Sequence, residues 1–166
     1  MPPTFHFNRR IEPGQHCLAD LFPAIASCAV LADLFPGIGE LGGILANVKV
    51  FIEAKSHKIF VDNEDGSITI GQEHLNDVED EILYLDLIHE LCHVKQHLQG
   101  RDLYDRSRAY VDRETEIEAY LITVQEARRI GWPDETIFSY LLVPWITPEE
   151  HLRLARRLGI RIPIGA

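Results

Sequence analysis

HELCH, residues 89–93, sets two histidines four positions apart with a glutamate beside the first. It lies within ILYLDLIHELCHVKQHLQG (82–100), where Ile82, Leu85, Ile88, Cys92 and Gln96 recur at helical spacing. That spacing predicts a helix from about Asn76. Asp77, Glu79, Asp80 and Glu81 suit the positive end of its dipole, and Gly100 suits its stop. On a helix, residues i and i+4 share a face one turn apart, so His89 and His93 can reach one metal ion. Glu90 lies about 100° around from His89 and can sit beside that ion without binding it. This is the HExxH arrangement of two zinc ligands and a general base. With 8 histidines and 15 glutamates in the chain, chance supplies HExxH about 0.03 times. The helical frame therefore carries more weight than the five letters alone.

A catalytic zinc needs three protein ligands and an open position. One class adds a histidine six residues after the second, with a methionine turn later. Here that position is Gln99 and the only methionine is Met1, which excludes the class. The other source is a glutamate on a following helix, often as Glu-x-x-Ala. RETEIEAY (113–120) offers Glu114, Glu116 and Glu118, and Glu116-Ile117-Glu118-Ala119 has the spacing.

Taken together, HELCHVKQH and ETEIEAY resemble the gluzincin metallopeptidases, and within them the compact ImmA/IrrE-type and related small HExxH proteins. The resemblance spans about residues 66–125. His97 matches a further histidine that such proteins tend to carry, and the pattern departs after Ala119, at Tyr120-Leu121. No helix-turn-helix unit accompanies it. The resemblance implies a zinc-dependent peptidase acting on a peptide or protein substrate. His89, His93 and Glu116 would be its zinc ligands and Glu90 the base that activates water. It also implies a twisted sheet over the HExxH helix, with an edge strand that receives an extended peptide. SITIG (67–71) precedes the helix where that strand is expected. A regulatory or partner-dependent zinc-binding module with little peptidase activity of its own is the rival reading.

The resemblance favours Glu116 as the third ligand, and there is a physical reason too. A ligand-donating helix must approach the metal helix closely, and Ala119, one turn on, leaves room. Glu114 and Glu118 have larger residues in the equivalent places and stay open as alternatives. Ile117, Leu121 and Val124 are read as the core stripe of this helix, predicted over 112–130, with Glu116 on its flank. His97 lies about 12 Å along the axis from His89, too far to share its ion, and is read as structural or supporting. Cys92 should face the core, and Asp86 is a carboxylate near the site or on the helix surface. Tyr104, Tyr110, Tyr140 or His151 could stabilise a developing oxyanion.

The surroundings point to one α+β domain over 1–166. VKVFIEA (48–54), HKIFVD (57–62) and SITIG predict a small, mainly antiparallel sheet, with a turn at NEDG (63–66). Two short helices should follow Gly131-Trp132-Pro133. One starts near Asp134, and the other has Thr147 as its cap and Pro148 in its first turn. LADLFPAI (18–25) and LADLFPGI (31–38) repeat a proline-interrupted helical turn. They suggest an apolar helical segment, 1–46, that packs on the domain or forms a homodimer surface. Gly37, Gly39, Gly42 and Gly43 should loosen the chain after it.

The net charge is −10. Residues 1–94 carry 15 acidic and 5 basic side chains, and residues 95–166 carry 11 of each. With no basic stripe, nucleic acid and anionic membranes are poor partners. Three cysteines, an odd number, suit a reducing, cytoplasmic setting. The stretch after Arg9-Arg10 holds Glu12, His16 and Asp20, so it is not a signal-peptide core.

Overall fold

The computed structural model describes residues 5–37 and 41–166. Its centre is α5 (Asp80–Leu98), and the other elements wrap around it. From Leu83 to Val94 every residue of α5 except Asp86 is buried. A helix that is buried all round is a core helix rather than a surface helix with one apolar stripe. This corrects the expected stripe, and Ile82 is only half-buried. Gly100, with φ +74°, ends the helix and donates its N–H to the His97 carbonyl.

The helix does not begin at Asn76. A short α4 (Gln72–Asp77) comes first, and extended backbone at Val78 and Glu79 separates it from α5. The Arg9 guanidinium fixes this break by donating to the Leu75 and Val78 carbonyls and to Asp80.

A four-stranded sheet lies over α5. It is formed by β1 (Gly14–Cys17), β2 (Lys49–Glu53), β3 (Ile59–Val61) and β4 (Ile68–Gly71), in the order β1-β2-β4-β3. The outer pairings are antiparallel and β2 runs parallel to β4. Val50 lies opposite Ile68, Ile52 opposite Ile70, and Val61 opposite Ile68, so strand alternation gives the sheet one buried apolar face. SITIG is therefore an interior strand, not the expected edge; the edges are β1 and β3, and β3 packs against α5. The 63–66 turn closes the β3–β4 hairpin with the Gly66 N–H donating to Asp62 O. Gly66 has φ +73°, and a Cβ there would lie 2.4 Å from the His97 ring. His97 thus packs on this turn, in the structural role expected of it.

Gly71 joins β4 to α4. The Ser56 carbonyl accepts from Glu73 N and His74 N in the first turn of α4, which brings residue 56 against Gly71. A Cβ on Gly71 would lie 2.0 Å from that oxygen. Because backbone cannot step aside as a side chain can, Gly71→Ala is expected to destabilise the fold by about 1–3 kcal/mol. Urea denaturation checks this as a lowered midpoint.

The N-terminal segment is more than helical, since β1 contributes a strand. The short helices α1 (Leu18–Leu21), α2 (Val30–Leu34) and α3 (Leu41–Asn47) complete it. The two repeat copies are used alike: Leu18, Leu21 and Phe22 are buried, as are Leu31, Leu34 and Phe35. Phe5 stacks on Tyr84 of α5 with ring centroids 3.9 Å apart. These apolar groups face the chain's own core. Gly42 and Gly43 fall within α3 rather than in a loosened stretch, whereas Ile38, Gly39 and Glu40 lie outside the described residues.

After α5 come α6 (Glu114–Arg129), α7 (Asp134–Tyr140) and α8 (Pro148–Arg157). At α8 Thr147 is the cap, as expected: its hydroxyl accepts from Glu150 N, and the Glu150 carboxylate accepts from Thr147 N in return. The architecture is α+β, with eight helices and a small mixed sheet among the described residues. None of these helices is long and apolar enough to cross a membrane.

Candidate metal centre

The site forms where α5 meets α6, the most extensive contact between elements of the fold. Ala119 of α6, one turn after Glu116, is fully buried, where a longer side chain would need room that a methyl group does not. Glu116 lies in the first turn of α6, where the helix dipole favours a carboxylate. Its carboxylate points at the face of α5 that carries His89 and His93.

The three donor atoms form a nearly equilateral triangle. His89 Nε2 and His93 Nε2 are 3.1 Å apart. Glu116 Oε2 lies 3.2 Å from the first and 3.4 Å from the second. A tetrahedral ion with bonds of about 2.0–2.1 Å sets its donors about 3.3 Å apart, so the triangle is the right size for one. The donor chemistry, two imidazoles and a carboxylate, is that of a catalytic zinc shell with a fourth position left open. Among the described residues this is the only group of three or more such side chains able to hold a metal ion together.

Glu90 is buried, and its Oε2 has no hydrogen-bond partner among the described residues. Burial pushes its carboxyl above the ordinary range and the Glu116 and Asp86 charges add to this, against the opposing pull of His93 and His89. Glu116 behaves in the opposite way. Burial would raise it, but hydrogen bonds from His89 and His93 hold it well below the usual carboxylate range. Two nearby carboxyls pushed apart in this way suit different roles, one a fixed charge and the other a proton acceptor.

Protein-family models, curated proteins and solved structures give no match to the chain. The site is therefore read from its own geometry.

The other two glutamates of RETEIEAY go elsewhere. Glu114 is exposed, 3.8 Å from Arg108. Glu118 accepts from Lys95 Nζ at 2.9 Å, from Arg101, and from Gln96 Nε2 at 3.1 Å. Burial would raise its carboxyl, but the Arg101, Lys95 and Gln96 bonds bring it down to about 2. The buried face of α6 runs through Glu116, Ala119, Tyr120, Thr123, Val124 and Ala127. The expected Ile117–Leu121–Val124 stripe is wrong in two of its three members: Ile117 is half-buried and Leu121 exposed.

Cys92 is buried, and burial pushes its thiol up to about 12, as an inert core residue. Asp86 takes hydrogen bonds from Tyr140 Oη at 2.8 Å and His74 Nε2 at 2.9 Å. The oxyanion candidates are similarly engaged. Tyr104 donates to the Val61 carbonyl, Tyr110 pairs with Tyr120 at 2.9 Å, and His151 bonds the Phe138 carbonyl. Tyr104, Tyr110 and Tyr140 are all raised, chiefly by burial, with neighbouring charges that include Glu90 adding to it.

Two residues escaped the sequence reading. Tyr120 packs edge-on against the His89 ring with centroids 4.5 Å apart. Its signal was the departure from the gluzincin-like pattern just after Ala119. Gln96, fully buried, bonds His93 Nδ1. Its signal was a polar residue at a position spaced for an apolar one.

Proposed function

We propose that the protein is a zinc-dependent metallopeptidase, with His89, His93 and Glu116 as the zinc ligands and Glu90 as the general base. The observation that carries this is the convergence of Nε2, Nε2 and Oε2 at zinc-ligand spacing beside a buried carboxylate whose Oε2 has no partner among the described residues. What zinc supplies when bound is charge stabilisation at the scissile carbonyl and acidification of a water toward a pKa of about 7. Glu90 accepts a proton as that water attacks the carbonyl carbon. It then delivers the proton to the amide nitrogen as the C–N bond breaks, leaving a carboxylic acid and an amine, which pass to carboxylate and ammonium as the second water proton moves to the amine. On this reading the α+β fold is a compact zincin-like one, acting on peptides or proteins in the cytoplasm, and β3 is the edge along which an extended substrate pairs.

A second reading has its own support. His89, Glu90, His93 and Glu116 are only 3–7 % exposed, and the Tyr104 hydroxyl occupies the Val61 carbonyl on β3. Both features suit a zinc-binding module that needs a partner to open it. The test is a mixed library of quenched fluorescent peptides incubated with zinc-loaded protein. Cleavage is expected, lost on adding a chelator and regained with about one equivalent of zinc. Zinc-loaded protein that cleaves nothing would favour the second reading.

A further inference from the structure

We propose that Gln96 is a positioning residue for His93, fixing the ring with its proton on Nδ1 so that Nε2 faces His89 and Glu116, and that Glu118 holds Gln96 in that orientation. The inference rests on the metal-site reading above and assigns Gln96 and Glu118 the tasks of orienting its second histidine.

The argument follows from donors and acceptors. The Gln96 side-chain nitrogen lies 2.9 Å from the Thr115 carbonyl oxygen and 3.1 Å from Glu118 Oε2. A carbonyl can only accept, and so can a carboxylate that already takes bonds from Lys95 and Arg101. The amide must therefore turn its NH2 toward them. A flipped amide would set oxygen against two oxygens in a fully buried place, which is costly. This leaves Gln96 Oε1 facing His93 Nδ1 at 2.8 Å, and that contact is a hydrogen bond only if Nδ1 carries the proton. A ligating ring must be neutral, so with the proton kept on Nδ1 it is Nε2, the atom aimed at Glu116 Oε2 and His89 Nε2, that gives up its proton and offers its lone pair.

The spacing explains why these residues can do it. Gln96 is three positions after His93, on the same side of α5, and Glu118 is two after Glu116 on α6. Lys95, from α5, holds Oε1 of the Glu118 carboxylate, while Arg101, from the turn after α5, and Gln96 share Oε2. The network thus ties the orientation of His93 to the seating of the helix that carries Glu116. His89 has no such device, since its Nδ1 is buried without a partner among the described residues.

The test is zinc affinity by competition with a chromophoric chelator, for the wild type and Gln96→Leu. Loss of an outer partner of a ligating histidine is expected to weaken zinc binding by about 10–100-fold. A purely structural role would instead appear in the thermal midpoint of the metal-free protein, measured alongside, without the selective loss of affinity. The second measurement needs no variant. Long-range 1H–15N spectra of zinc-loaded wild type should show the His93 proton on Nδ1. Unchanged affinity in Gln96→Leu overturns the assignment while leaving the metal site standing, whereas a proton on Nε2 of the zinc-loaded protein overturns both, because that nitrogen could not then ligate. Wild type that takes up no zinc overturns both.

Discussion

Glu90→Gln is expected to keep its metal and lose peptide cleavage by about 10²–10⁴-fold, the contribution typical of a positioned general base. The substitution keeps the shape of the side chain and removes its ability to take a proton. It breaks no hydrogen bond at Oε2, which has none among the described residues. Nor does it touch the triangle of His89, His93 and Glu116. Burial raises the Glu90 carboxyl, the direction that favours its proposed part as proton acceptor. The loss should therefore lie in kcat, with zinc content unchanged. A Glu90→Gln protein that cleaves as fast as wild type would remove Glu90 from the mechanism. One that loses its zinc would instead make Glu90 part of the metal shell.

The second large effect separates Glu116 from its neighbour. Glu116→Ala should lose tightly held zinc, because two histidines remain where three protein ligands are needed. Glu118→Ala should keep its zinc with affinity lowered by no more than about 10–100-fold, because its carboxylate meets Gln96 rather than the triangle. The two residues are two apart on one helix, so they point roughly 200° apart and no single ion can be served by either alike. Metal titration of the two variants side by side checks this. If Glu118→Ala loses zinc and Glu116→Ala keeps it, the ligand assignment is reversed.

The features that could be read from the sequence are those set by local rules. The cap at Thr147, the stop at Gly100 and the i, i+4 histidines need only neighbours in the chain. Glu116 could be preferred because its spacing to Ala119 is a local fact with a packing consequence. What was hidden depended on distant partners. The strand Gly14–Cys17 has no apolar alternation and exists by pairing with residues 49–52. The interior place of Ile68–Gly71 follows from its parallel pairing with β2, which no local pattern announces. The stripes failed for a related reason. A helix buried on all faces has no single stripe, and on α6 the buried face is built around the polar Glu116 rather than around Ile117 and Leu121. Gln96 was hidden because its value lies in three partners from two helices.

The central claim is that His89, His93 and Glu116 hold one zinc ion. Metal analysis of purified protein tests it most directly. Wild type should carry, or take up from a stoichiometric supply, about one zinc per chain, and His93→Ala should carry little. Wild type that remains metal-free after exposure to zinc would contradict the account.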